Sequence, residues 1–537
     1  MYNYDLIIKN GRVIDGTGNV WCKKDIGLSE GKIKSLGCVN GKAKKVIDVN
    51  GMIVSPGFID LHNHSDMTIL PYPNAESSIM QGVTTVVVGN CGISMAPINS
   101  NNLDILKKYL SFLLVENYDY KWDWQTLGEY YKKVEKQGMS LNIASLVGQG
   151  NIRLAVKGFD SSEATKDEIN EMKMLLEQSI NDGVFGMSTG LVYPPGCYST
   201  TDELIELGSV LKKYGLIYVT HMRNEGDRLT EALEEAIKIG EVNNIAVEVS
   251  HHKALGKYNW GKVNASLREM KKARNRGIDI SCDVYPYNAC STTITSILPI
   301  WVLEGGVEKA IEQLKDIKLR EKIKKDIINN TVKGENWIRD AGWNGIFIGE
   351  CQSRKEYEGK SLENILKEKN RFNDLFDGFF DLLIEIEGNA VIVIFAMDEE
   401  DVKTVISNPL SAIGSDSWSV APIAGGKPHP RTYGTFPRVL GKYVREDNLL
   451  TLESAIRKMT SLPANKIGLK DRGMLKEGYY ADIVIFDSDK IIDKATYANP
   501  CQYPEGIKYV IVNGEIVVDN GKITGRRSGK ILKKENV

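Results

Sequence analysis

Short apolar runs recur along the whole chain, but what separates them changes with position. Within the first fifty residues DLIIKN, GRVIDGTG, DIGLSEGKIKSLG and KKVIDVNGMIVSP are brief β-rich runs broken by Gly and Asn-Gly turns, the punctuation of hairpins. The same pattern returns at the far end in GYYADIVIFD and IKYVIVNGEIVVDNGKI. Both termini, residues 1–54 and 466–537, are therefore expected to build one small β-sandwich. Between them, IVSPGFIDLH, VTTVVVGN, LNIASLVG, VFGMST, LIYVTH, IAVEVSH, IDISCDVY and SAIGSD read as buried strands. Segments with a 3.6-residue apolar period, such as 167–180, 203–214 and 229–240, lie between several of them. A doubly wound sheet shares this alternation, but eight strands favour an α/β chain whose residues 55–465 form a (β/α)8 TIM-like barrel. From about 290 to 390 a Lys-rich, helical stretch interrupts the alternation. It reads as an insertion after strand seven, a candidate lid over the barrel mouth, with VIVIFAM at 391–397 as an alternative strand seven.

Composition narrows the classes. Hydrophobic residues at 42% and charged ones at 26% suit a soluble globular chain, and 537 residues suit two or three folded units. No apolar run approaches the ~18 residues of a membrane span, so no membrane partner is expected. Lys plus Arg 68 against Asp plus Glu 70 leaves a net charge of −2, which argues against binding nucleic acid through net charge. Eight scattered cysteines without a C-x-x-C pair read as reduced thiols, and the N-terminus lacks the features of a signal peptide. A cytoplasmic protein is the expectation.

The chain has only six histidines, and four fall at the ends of predicted strands: His62 and His64 on the first, His221 on the fifth and His251 on the sixth. Positions i and i+2 of a strand face one side, so His62 and His64 aim at one point. Cys91 follows strand two and Asp416 ends strand eight. Catalytic groups of such barrels sit at the carboxyl ends of the strands. Taken singly, each residue has an ordinary structural role, as a small buried hydrophobe, a hydrogen-bonded ring or a helix cap. Six of them at the ends of five strands favour a metal site, with zinc the borderline-soft ion suited to imidazole and thiolate. His252 should point away from His251 and be structural, the role of His429 stays open, and Asp60 is a candidate for orienting the ligands.

These residues resemble a known family. SPGFIDLHNH, the histidines on strands five and six and the aspartate on strand eight are similar to the amidohydrolase superfamily. GNCGIS at 89–94, THMRNEGD at 220–227, SHHK at 250–253 and HPRTYGTFPRVLGKYVRE at 429–446 resemble its N-acyl-D-amino-acid deacylase (D-aminoacylase) branch across almost the whole chain. The resemblance implies hydrolysis of an N-acyl-D-amino acid to a carboxylate and a free D-amino acid. It implies one tight Zn2+ on Cys91, His221 and His251, and a second, weaker position near His62 and His64 that shares Cys91. Cys91 takes the place of the carboxylated strand-four lysine common in other members, since VFGMST has none. Asp416 would be the general base and then the general acid. Lys253, Tyr285, Ser291 and Arg431 would bind the substrate carboxylate, Arg431 through a two-point fork. HNHSD after the first motif and the long SWSVAPIAGGK after Asp416 depart from familiar members and bear on the substrate side chain. The competing readings are an amidohydrolase of cyclic amides or D-residue dipeptides, and a barrel scaffold without activity.

Overall fold

The structure, a computed structural model, describes residues 3–99, 102–111, 113–115, 117–330, 334–368, 374–422 and 426–534. Part of SWSVAPIAGGK, residues 423–425, lies outside them. In chain order the first five strands are β1 (Tyr4–Val13), β2 (Cys22–Ser29), β3 (Lys32–Gly37), β4 (Ala43–Asp48) and β5 (Ile53–Pro56). Eight barrel strands follow: β6 (Phe58–Asp60), β7 (Val83–Val88), β8 (Asn142–Gly148), β9 (Gly186–Gly190), β10 (Ile217–His221), β11 (Val247–Val249), β12 (Ile280–Val284) and, after the insertion strands β13 (Cys290–Thr293), β14 (Ile346–Glu350) and β15 (Val391–Ile394), β16 (Ser411–Ile413). The C-terminal strands are β17 (Ile483–Phe486), β18 (Ile507–Val512), β19 (Glu515–Asp519) and β20 (Lys522–Ile523).

The two termini meet in one nine-stranded mixed sheet, where β5 of the first end pairs antiparallel with β17 of the last. The period of two decides what each residue of β17 covers. Ile483 and Ile485 face the terminal core with Leu6, Ile8 and Ile26, while Val484 and Phe486 face the barrel core with Phe58. The terminal sheet is thus welded to the barrel by alternate side chains of a single strand.

The barrel strands run parallel in the order β6-β7-β8-β9-β10-β11-β12-β16, the eight strands legible in the sequence. Helices such as Lys166–Asn181, capped by Thr165 and Glu168 in a reciprocal capping box, cover the outside. The cylinder closes between β6 and β16 just beyond the strand ends. There the Asp416 backbone N–H donates to the His62 carbonyl (2.8 Å), and the His64 N–H donates to the Ser417 carbonyl (2.7 Å). Asp60 completes the seam, its carboxylate accepting from the Ser415 N–H (2.8 Å) and from Asn63 (2.8 Å).

The insertion is more than helical decoration. It carries an antiparallel sheet in the order β13-β15-β14, and VIVIFAM lies there rather than in the barrel. Strand seven is β12, paired with β16 through Cys282 and Ser411. An apolar run of four buried residues suits either sheet, because burial on both faces erases the alternation that would tell them apart. No helix among the described residues is long and apolar enough to cross a membrane.

Candidate functional site

At the carboxyl ends of the barrel strands the six candidate ligands converge. One ligand atom from each of Cys91, His221 and His251 lies within 4.8 Å of the others, and so do those of His62, His64, Cys91 and Asp416. Cys91 belongs to both groups: its Sγ is 3.3 Å from His62 Nε2 and 3.5 Å from His251 Nε2. All six residues are buried.

The backbone bends sharply to deliver three of them. Cys91, His251 and Asp416 have φ of 54°, 36° and 51°, a left-handed conformation that costs a non-glycine residue roughly 1–2 kcal/mol. Strain held at a site marks residues fixed by their surroundings. Around Cys91 the turn is possible because its flanks are glycines. Gly89 (φ 78°) approaches the Leu146 carbonyl so closely that a Cβ would sit 2.1 Å from it, and a Cβ on Gly92 (φ 73°) would be 2.7 Å from the Gly190 nitrogen.

The two groups are backed differently. His251 Nδ1 is 3.0 Å from Glu225 Oε1, and Lys253 Nζ donates to both Glu225 oxygens (2.7 and 2.8 Å). Burial would push the Glu225 carboxyl up, but Lys253, His251 and His221 outweigh it and hold Glu225 well below the usual carboxylate range. On the other side His62 Nδ1 is 3.3 Å from Asp283 Oδ2, while Asp283 Oδ1 accepts from the His251 N–H (2.8 Å). Asp416 Oδ1 is 3.4 Å from both His62 Nε2 and His64 Nε2, and its Oδ2 accepts from Arg431 Nη1 (2.7 Å). Burial opposes the Asp416 charge, and Arg431, His251 and His62 more than offset it, so the carboxyl lies well below its ordinary value. The Cys91 thiol is likewise penalised by burial and brought well below its ordinary value by His62 and His251. It is a thiolate.

A divalent cation fits this donor set. His64 Nδ1 and His221 Nδ1 are buried without a hydrogen-bond partner among the described residues, an arrangement that costs about 1–3 kcal/mol per group if nothing binds there. Imidazole, thiolate and one carboxylate are donors that zinc and similar borderline ions accept.

The residues expected to bind the substrate carboxylate share the cavity. Lys253, Tyr285, Ser291 and Arg431 line a pocket of about 1070 Å3 together with His64, Cys91, His221, His251 and Asp416; His62 lies beneath it, fully buried. Both cations are already partnered, Lys253 by Glu225 and Arg431 by Asp416 through one of its nitrogens. Both also sit over the Tyr285 ring, at 5.7 and 4.8 Å. Among the described residues the Tyr285 hydroxyl meets only the weak acceptor Met397 Sδ, at 3.4 Å. His252 points away, its Nε2 2.7 Å from Ser266 Oγ. His429 is a brace: its Nε2 is 3.0 Å from the Ala289 carbonyl, and its Nδ1 accepts from the Arg431 N–H.

Glu225 and Asp283 escaped the sequence reading, as did Tyr193, whose ring lies 5.2 Å from that of His221. Glu225 stands four residues past His221 in a loop, where no periodicity applies. Asp283 is a buried acidic residue inside a barrel strand, ISCDV, and a carboxylate at such a position was the available signal.

Comparison with known proteins agrees with this geometry. The Amidohydrolase family model matches residues 45–253 and 383–518. D-aminoacylase of Alcaligenes xylosoxydans xylosoxydans is 34% identical over 534 residues, 98% of this chain and 97% of that protein. A D-aminoacylase structure studied for the role of its binuclear metal centre matches with a TM-score of 0.82 at 34% identity, over 99% of this chain and 100% of the other. N-acyl-D-glutamate deacylase from Bordetella bronchiseptica, complexed with zinc and a phosphonate mimic of the tetrahedral intermediate, matches with a TM-score of 0.80 at 32% identity, over 99% of both chains. The chain belongs to the amidohydrolase family, within its D-aminoacylase group of N-acyl-D-amino-acid deacylases.

Proposed function

We propose that this protein hydrolyses the amide bond of N-acyl-D-amino acids with Zn2+ as cofactor, Cys91, His221 and His251 holding the tight ion and His62, His64 and Cys91 a weaker one. The observation that carries the reading is the position of Asp416, whose two carboxylate oxygens face the histidine pair and Arg431 respectively. The cation, when bound, acidifies a water toward pKa ~7 and polarises the acyl oxygen. Asp416 takes the proton of the attacking water and returns it to the amide nitrogen as the bond breaks, so one carboxylate serves both directions. Its ionised state, secured by Arg431, leaves it ready to accept.

Arg431 spends one nitrogen on Asp416 and offers the rest of its fork to the substrate's α-carboxylate. Tyr285 and Ser291 add neutral donors, and Lys253 adds charge from beside His251. The test is hydrolysis of paired N-acetyl-D- and N-acetyl-L-amino acids by zinc-supplemented protein, with Asp416→Ala as control. Release of D-amino acids alone, lost in the variant by a factor of about 10^2 to 10^4, supports the reading. Turnover of cyclic amides instead would replace it.

A further inference from the structure

The cavity is larger than a small N-acyl amino acid needs. At about 1070 Å3 it slightly exceeds the ~300–1,000 Å3 range for small-molecule sites, and beyond the ligand cluster apolar side chains line its inner walls, with exposed charged residues such as Lys108, Glu308 and Lys309 toward the outside. One wall comes from the barrel loops: Ile93, two residues past Cys91, then Tyr109 and Phe159, whose rings meet at 6.1 Å. Tyr109 reaches the cluster's edge, because a Cβ on Gly150 would lie 2.9 Å from its hydroxyl and 2.7 Å from the Gly92 carbonyl. The facing wall comes from the insertion, with Leu298, Ile300 and Leu303. Two contacts bridge the walls at the rim: Lys108 to Glu308 at 2.6 Å, and Ser161 to Glu304.

We infer that this apolar arm takes the acyl group of the substrate, and that the substrates are N-acyl-D-amino acids with an extended apolar acyl chain. The inference rests on the proposed reaction, and direction decides it. Arg431 bonds Asp416 and sits over the Tyr285 ring, while the apolar wall begins two residues past Cys91, at Ile93. A scissile amide carries its α-carbon and its acyl chain on opposite ends of one planar bond. With the carboxylate held by Arg431, the acyl chain leaves past Cys91 into the arm.

The experiment measures kcat/KM for N-acetyl-, N-butanoyl-, N-hexanoyl- and N-octanoyl-D-leucine with the zinc-supplemented full chain. Alongside runs an N-acetyl series in which only the D-side chain lengthens. A fully buried methylene is worth about fourfold, so partial burial predicts a gain of at least about tenfold from acetyl to octanoyl. Phe159→Asp and Ile300→Asp, both at half-buried positions, should each cut the octanoyl-to-acetyl ratio at least fivefold. A flat or falling acyl series with N-acetyl-D-leucine still hydrolysed overturns the inference and spares the reaction. A gain confined to the side-chain series overturns it by assigning the arm to the side chain. No hydrolysis of any D-compound sinks the reaction itself and the inference with it.

Discussion

Cys91 divides the ligand cluster into two halves that differ in how many protons they hold. In the His221/His251 half, burial dominates at His221 and lowers its pKa, Glu225 offsetting only part, while at His251 the acidic neighbours overcome burial and Lys253 to raise it. In the His62/His64 half, burial is outweighed at both rings. Asp283 and Cys91 raise His62 well above its ordinary value, and Asp416 with Cys91 raises His64 to about 9. A cation must displace those protons to bind. On the proposed assignment, the same residue types sharing one sulfur should therefore make one avid position and one reluctant one, the difference coming from the carboxylates behind them.

The largest effect expected from breaking this comparison is at the shared residue. Cys91→Ala should strip most bound zinc from both halves and lower kcat/KM by at least about 10^3, matching the several kcal/mol that a catalytic ion supplies, with the fold retained by circular dichroism. Metal analysis showing unchanged zinc would refute the assignment. Next in size, His221→Ala should cost at least tenfold more activity than His64→Ala, because it empties the avid half.

The comparison sharpens with pH. At pH 7 His62 and His64 both hold protons, so the second ion's affinity should rise by up to about two powers of ten per pH unit as pH increases toward 9. In the other half His221 is shifted down and only His251 up, so the first ion's slope should be the shallower, near one or below. Chelator competition across pH 6–9 measures both, and equal slopes would contradict the protonation difference. The smallest effects belong to the supporting carboxylates. Glu225→Gln should weaken the first ion and Asp283→Asn the second, each by about 10–100-fold; isothermal titration distinguishes them.

The contrast between the halves was only partly legible in the sequence. The barrel and the convergence of the candidate ligands could be read because strand-end His and Asp residues of a barrel point to one place, and eight buried runs alternating with helices favour a closed cylinder. The supports were not read: Glu225 lies in irregular chain, where no periodicity applies, and Asp283, whose acidic character inside a strand was a signal, carries no sign of which ligand it backs. Nor were the left-handed turns at Cys91, His251 and Asp416, since the sequence sign of positive φ is glycine or asparagine. The β13-β15-β14 sheet was missed for a related reason, a continuous apolar run being silent about its partner strand.

The seam between β6 and β16 has a consequence for biosynthesis. The Asp416 N–H bonds the His62 carbonyl, joining positions 354 residues apart. At translation rates of ~5–20 residues per second, His62 and His64 wait roughly 20–70 s on the ribosome before Asp416 has even been made. A prematurely terminated chain would carry Cys91 and most of the histidines without the strand that closes the cylinder. Such fragments would offer exposed thiol and imidazole to stray ions, so the pocket matures only after the eighth barrel strand and Asp416 have been translated.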